Sequence, residues 1–192
     1  EQGKLLASSG DFDFAIQGDG FFMIQMPDGT TGYTRNGNFL MSVNDSGGVT
    51  LTTSDGYAVL DSNGKEISFD GNTDTAKLSF DDYGNIFYKN PQGVVVSTGI
   101  RIGAAQFNNP SGLLKLGDSY FAETAASGAA RLEGQDAALK QSVIKNKYLE
   151  GSSVEAVDEM VDMIVTQRAY EMNSKAIQAS DEMLQQANNL RS

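Results

Sequence analysis

The hydrophobic and polar residues of this chain follow two patterns, and the change falls near Gly151. Before that glycine, short runs of β-branched and aromatic residues alternate with turn-forming dipeptides. After it, apolar residues recur about every 3.6 positions, which is typical of an amphipathic helix. All 21 glycines and all three prolines lie at or before Gly151, so composition changes where the period changes. The pattern predicts a β-rich part followed by a long helix.

Turn dipeptides divide the first part into short apolar runs. Pairs such as Asp28-Gly29 and Asn36-Gly37 accept the positive φ angles that tight hairpin turns require. The runs between the turns lie at 21–24, 49–52, 57–60, 86–88, 94–96 and 100–102. Their spacing predicts an antiparallel β domain over residues 11–125, preceded by a linker over 1–10. We expect this domain to fold on its own.

Residues 126–150 are predicted to be a connector, and residues 151–192 a C-terminal coiled-coil helix. Within the connector, 135–148 is compatible with a short strand or with an irregular return. Ser152 and Glu155 have the spacing of a capping box at the start of the helix. A helix to Leu190 would be about 58 Å long, at about 1.5 Å per residue. The predicted fold class is therefore mainly β with a long C-terminal α-helix: an antiparallel β domain plus a coiled-coil-type helix.

Apolar residues spaced four, three, four and three apart form a heptad seam on this predicted helix. We expect the seam to be an assembly surface formed by Val165, Ala169, Met172, Ala176, Ala179, Met183 and Leu190. A helix about 58 Å long would overhang a β domain of about 35 Å diameter. This favours a helical partner, from another copy or from a preceding segment. Packing of the helix on its own β domain remains the alternative.

Composition excludes several chemistries. The 192 residues include no His and no Cys, which removes Ser-His-Asp and Cys-His catalysis and nearly all zinc sites. The net charge of −11 repels phosphate backbones, so we expect no nucleic-acid partner. The sequence contains no run of about 18 apolar residues, so no membrane-spanning helix is predicted. We therefore predict no enzymatic activity, no catalytic residue, no metal site and no cofactor.

Acidic and aromatic residues offer weaker alternatives. Asp11 with Asp13, or Asp81 with Asp82, could be imagined as the carboxylate pair of a glycosidase. The turn from Asp81 to Asn85 is rich in oxygen ligands, but its spacing does not match an EF-hand loop. A strip for stacking on sugars could use Tyr33, Phe39, Tyr57, Phe87 and Tyr88. Solvated turns and core aromatics are the commoner roles of such residues, so a β-rich extracellular binding module is the less favoured alternative.

Segments spread along the chain resemble the bacterial flagellar rod and hook proteins, and they occur in the order found in that family. They are 14–22 (AI-x-G-x-GFF), 33–39 (YTR-x-G-x-F), 54–57 (x-DGY), 107–113 (F-x-NP-x-GL), 117–121 and 159–175. The last segment is most similar to the distal-rod members. Ser153 stands where the family usually has Asn, and the family's N-terminal helix is not found in this sequence.

The resemblance implies a structural subunit of the flagellar basal-body distal rod. Such a protein is exported through the flagellar channel and polymerises into a helical tube that transmits torque. Its expected partners are copies of itself, neighbouring rod and hook proteins, and bushing-ring proteins. Its expected location is outside the cytoplasmic membrane, in the periplasm or cell-wall zone. A proximal-rod or hook-type protein is the alternative within the family.

Overall fold

The computed structural model describes residues 2–44, 46–117, 119–136 and 138–151, together with 163, 164, 167, 168, 170–172 and 177. The chain divides into two compact units, Glu1–Gly151 and Ser152–Ser192. The described residues of the first unit form short antiparallel strands joined by tight turns. This part has the mainly β architecture that the alternation of apolar runs and turn dipeptides predicts.

Sixteen strands are described in the first unit. They are β1 (Leu5–Ala7), β2 (Phe14–Gln17), β3 (Phe21–Gln25), β4 (Thr31–Thr34), β5 (Phe39–Val43), β6 (Val49–Thr53), β7 (Ser68–Phe69), β8 (Leu78–Phe80), β9 (Asn85–Lys89), β10 (Val95–Arg101), β11 (Ala104–Gln106), β12 (Leu114–Gly117), β13 (Tyr120–Ala122), β14 (Arg131–Leu132), β15 (Val143–Asn146) and β16 (Tyr148–Glu150). Two short 3-10 helices, Thr75–Lys77 and Pro110–Gly112, precede β8 and β12.

The largest sheet has six strands in the order β12-β13-β4-β3-β11-β14. Two three-stranded sheets, β10-β9-β8 and β5-β6-β7, and two pairs, β15-β2 and β1-β16, complete the unit. Every described pairing is antiparallel. Consecutive strands pair in six cases, among them β3 with β4, whose turn contains the dipeptide Asp28-Gly29.

The core lies on both faces of β3, because this strand is apolar at consecutive positions. Phe22 and Ile24 point into one cluster of buried side chains, and Phe21 and Met23 into another. Successive side chains of a strand point to opposite faces of its sheet. A run of four apolar residues therefore indicates a strand that is covered on both sides, and all four side chains are buried.

Close backbone contact explains one glycine of the sequence motifs. Gly37 accepts a hydrogen bond from the Phe14 backbone N–H at 2.9 Å. A Cβ atom at position 37 would lie 1.9 Å from the Phe14 carbonyl oxygen. Only glycine allows the chain after β4 to approach β2 this closely.

The segments predicted to be linker and connector contribute strands to the first unit. β1 pairs with β16, and β2 pairs with β15 over Val143↔Gln17 to Asn146↔Phe14. Ile144 of β15 is fully buried in the same cluster as Phe22. Both ends of the unit are therefore held in its β structure.

The prediction of a long C-terminal helix with coiled-coil packing is wrong for the structure as described. Helical backbone is described at 163–164, 167–168, 170–172 and 177, and the side chains described there are exposed. Among the described residues there is no long helix and no coiled-coil contact. A four-three spacing of apolar residues produces a stripe, but it does not supply the second helix that would cover the stripe. Without such cover, helix propensity alone stabilises a long helix poorly.

We expect residues 1–151 to unfold at a higher temperature than the shorter fragment 11–125. The shorter fragment lacks β1, β14, β15 and β16, and loss of the buried Ile144 side chain alone should cost about 2–5 kcal/mol. Circular dichroism melts of both fragments measure the difference. Equal melting temperatures would show that 11–125 is the complete folding unit.

Candidate functional site

The two ends of the β unit meet at the β1–β16 ladder. The Gly151 backbone N–H donates to the Lys4 carbonyl at 2.8 Å, and the Gly3 N–H donates to Glu150 Oε1 at 2.8 Å. A Cβ atom on Gly3 would lie 1.8 Å from the Gly151 carbonyl oxygen, so only glycine fits there. The chain therefore enters and leaves this unit at one place.

Arg35 holds this meeting point to the turn between β2 and β3. Its Nε donates to Glu150 Oε2 at 2.9 Å, and its Nη2 donates to Glu150 Oε1 at 3.1 Å. Its Nη1 donates to the carbonyls of Gly18 and Gly20, each at 2.7 Å. Nη2 also donates to the Ile16 carbonyl at 3.3 Å. The planar guanidinium fork suits this arrangement, because it binds the carboxylate with two atoms and still has donors for the carbonyls.

The Arg35–Glu150 pair is largely shielded from water. The side chains are 21% and 11% exposed, and the guanidinium carbon lies 5.6 Å from the centre of the Phe21 ring. Removing either partner from such a pair leaves a poorly solvated charge, which is strongly destabilising. This pair therefore differs from the exposed ion pairs of the unit, such as Lys147 with Asp11.

A second carboxylate extends the polar contacts from Gly20. Ser142 Oγ accepts a hydrogen bond from the Gly20 N–H at 3.1 Å and donates to Glu133 Oε1 at 2.7 Å. Glu133 is buried, and it also accepts from the Ser142 N–H at 2.8 Å and from Gln106 Nε2 at 2.7 Å. We call Arg35, Glu150, Ser142 and Glu133, with the Gly18–Gly20 turn, the junction network. It links the start and end of the β unit to β3 and β11.

Most of the assembly seam predicted from the sequence lies outside the described residues. Val165, Ala169, Ala176, Ala179, Met183 and Leu190 belong to that group. Met172 is described, and its side chain is exposed. The seam therefore stays a prediction. Sequence reasoning missed Glu150 and Glu133, and it noted Arg35 only as part of a motif, because nothing local indicates a contact across 115 positions.

The carboxylates considered for catalysis have structural roles. Asp13 is buried and accepts from Ser8 Oγ and from Asn38 Nδ2. The exposed Asp11 and Asp82 pair with lysines, Lys147 at 3.0 Å and Lys145 at 3.4 Å respectively.

Asp81 closes its own turn. Its Oδ1 accepts from the backbone N–H groups of Tyr83 and Asn85 at 2.9 and 2.8 Å, and its Oδ2 accepts from Asn85 Nδ2 at 2.7 Å. Burial alone raises the pKa of Asp81, but these hydrogen bonds and nearby Arg101 outweigh it and hold the pKa below 3.8. No group of three potential metal ligands occurs among the described residues.

The aromatic residues considered for sugar binding belong mainly to the core. Tyr33 packs edge-on against Phe107 in one buried cluster, and Phe39 packs against Phe22 in the other. Burial raises the pKa of Tyr33 to about 12. These rings therefore do not form one exposed strip.

Two family models match two separate segments of the chain. Residues 15–108 match the D1 domain of flagellar hook protein FlgE/F/G, and residues 145–190 match the C-terminal region of flagellar basal body rod FlgEFG proteins. Arg35 lies in the first match and Glu150 in the second. The junction network thus joins the two family segments. Among the described residues, no helix has the length and apolar character needed to cross a membrane.

Curated relatives extend the match to the whole chain. The flagellar basal-body rod protein FlgG of Borreliella burgdorferi is 40% identical over 192 residues, covering 100% of this chain and 69% of the relative. FlgG of Bacillus subtilis is 40% identical over 179 residues, covering 93% of this chain and 65% of the relative. FlgG of Caulobacter vibrioides is 39% identical, covering 100% and 69% respectively. The chain spans about two thirds of the length of these relatives.

The fold and the matches together define an axial protein of the flagellum. The chain belongs to the FlgE/F/G family of flagellar rod and hook proteins, with flagellar basal-body rod proteins as its similar relatives. The family resemblance seen in the sequence motifs is confirmed.

We expect Arg35→Ala to lower the free energy of unfolding by about 3–5 kcal/mol, because it leaves Glu150 without its partner. Arg35→Lys should recover only part of this loss, since an ammonium group cannot make the same forked contacts. Urea denaturation followed by circular dichroism measures both changes. The control is Arg131→Ala, which removes a more exposed pair and should cost about 1 kcal/mol or less. Equal losses at the two arginines would contradict a special role for the junction.

We expect Asp81→Asn to destabilise the β unit at neutral pH but not in strong acid. The folded pKa of Asp81 lies below its ordinary value of 3.8. Its contribution to stability is therefore fully present above that value and is lost as the pH falls through the folded pKa. Urea midpoints of both proteins should converge below pH 3.8. The control, Asp82→Asn, should change the midpoint little at any pH, because Asp82 is exposed. A constant gap across the pH range would show that ionisation of Asp81 is irrelevant.

Proposed function

We propose that this chain is a structural subunit of the distal rod of the bacterial flagellar basal body, and that it polymerises into a tube that transmits torque. Its membership of the rod and hook family and its similarity to several FlgG proteins support this role. The single observation that carries it is the 40% identity to FlgG of Borreliella burgdorferi over the whole chain.

A subunit that transmits torque must resist rotation of its outer part about the place where the chain leaves it. A single connecting strand would permit such rotation. Here the β1–β16 ladder, the forked Arg35–Glu150 contact and the Gly3 N–H bond all act at the same place. Several contacts with different directions hold the first and last strands of the β unit in place.

We infer that the protein acts as a structural component and is not an enzyme. The described carboxylates considered for catalysis bind lysines or turn groups, and the buried Glu133 is fully engaged with Ser142 and Gln106. The proposed partners are copies of the same chain, neighbouring rod and hook proteins, and bushing-ring proteins. The proposed location is outside the cytoplasmic membrane, in the periplasm or cell-wall zone.

Deletion of the gene in its own organism should abolish swimming and shorten or remove the rod in isolated basal bodies. Restoring the full-length gene should restore both, and the tagged protein should copurify with the basal body. Motility in soft agar and electron microscopy of isolated basal bodies measure these outcomes. Normal swimming with complete rods in the deletion strain would disprove the proposal.

A further inference from the structure

We propose that the groove on the β8–β9–β10 sheet of one copy binds the exposed edge strand β12 of a second copy, so that the β units make head-to-tail contacts. This inference rests on the proposed rod function, and it names the surfaces through which neighbouring subunits would touch.

The β9–β10 hairpin presents an unusually apolar edge. Val94, Val95 and Val96 are 57%, 57% and 49% exposed, although successive residues of a strand point to opposite faces. β10 is the last strand of its sheet and pairs with no other strand on its outer side among the described residues. Residues 91–100 contain no charged side chain. Protein edges of this kind normally carry charge to prevent pairing with another chain.

A groove crosses one face of the β8–β9–β10 sheet, where Leu78, Tyr88 and Val96 are paired neighbours. Its volume is about 620 Å³, and Leu78, Tyr88 and Val96 give it an apolar wall. Asp70 and the polar residues Asn72 and Thr73 also line the groove. The groove therefore suits a segment in which apolar residues lie next to a positively charged residue.

The strand β12 has the complementary character. It is the edge strand of the six-stranded sheet, and its Leu114 and Leu116 side chains are 55% and 47% exposed. Lys115 stands between the two leucines and is the only charged residue of 110–117. The two leucines project from the same face of the strand and could enter the groove, while Lys115, on the opposite face, could reach Asp70 by bending around the free edge of β12.

Charge and symmetry favour a second copy as the occupant. Copies with a net charge of −11 repel one another, so their contact surfaces should be neutral or of opposite sign. The β10 edge is neutral, and β12 with Asp70 provides an opposite-charge pair. A contact between two different patches can repeat and build a filament when its rotation does not close a ring, whereas a patch that contacts itself produces a closed dimer.

Cross-linking in assembled basal bodies tests this contact, because the chain contains no cysteine. The full-length protein carrying both Val96→Cys and Leu114→Cys is treated with a short bismaleimide, which tolerates small differences in register. We expect a ladder of dimers and larger species on denaturing gels. Val96→Cys alone and Leu114→Cys alone should remain monomeric. The control pair, Val96→Cys with the exposed Val43→Cys, should also remain monomeric.

The result separates this contact from the rod function. If the protein is present in basal bodies but the double variant gives no ladder, the contact is disproved and the rod function stands. A dimer from Val96→Cys alone would disprove the head-to-tail arrangement. Absence of the wild-type protein from basal bodies would overturn the proposed function and this contact together.

Charge reversal gives a second readout. In the double-cysteine background, Lys115→Glu should reduce the yield of cross-linked species about two- to five-fold, the effect of one exposed ion pair. Adding Asp70→Lys should restore the yield. An unchanged yield with Lys115→Glu would contradict the predicted pairing of these two residues.

Discussion

The contact between Arg35 and Glu150 is the interaction on which the organisation of the β unit depends. Arg35 follows β4 and Glu150 ends β16, so their contact closes a loop of 115 positions. The same guanidinium binds the carbonyls of the Gly18–Gly20 turn, which leads directly into the central strand β3. A largely buried charge needs partners on several sides, and the partners of Arg35 are the carbonyls of segment 16–20 and the carboxylate of Glu150. The place where the chain enters and leaves the unit follows from this one constraint.

Local features of the β unit could be predicted because they depend on neighbouring residues. The dipeptide Asp28-Gly29 lies in the turn between β3 and β4, with Gly29 at a φ of 81°. The run 21–24 became a strand buried on both faces, as its uninterrupted apolar character suggests. Strand order could not be predicted from the sequence. The pairing of β2 with β15, for example, joins residues far apart in sequence, and no turn signal indicates it.

The candidate site was predictable only in part, for a related reason. The motif at 33–39 included Arg35, but a single sequence does not show that this segment touches Glu150. The predicted long coiled-coil helix was wrong for a different reason, whereas the heptad seam itself stays a prediction. Its spacing is a local property, yet a coiled coil depends on a partner that spacing does not provide. The spacing of apolar residues therefore predicts which face of a helix is apolar, but it does not predict what covers that face.

Copies of an acidic subunit repel one another, and the distribution of charge over the protein affects how they assemble. A net charge of −11 keeps free copies apart, which limits premature association. The exposed apolar edges at β10 and β12 would promote association of copies, because unpaired strand edges attract other chains. Short length limits each edge: β12 contains four residues, and β10 has an irregular register between Ser97 and Arg101. Each contact is then weak alone. Weak contacts that repeat along a polymer add together, so assembly can be favourable where pairing of two free copies is not.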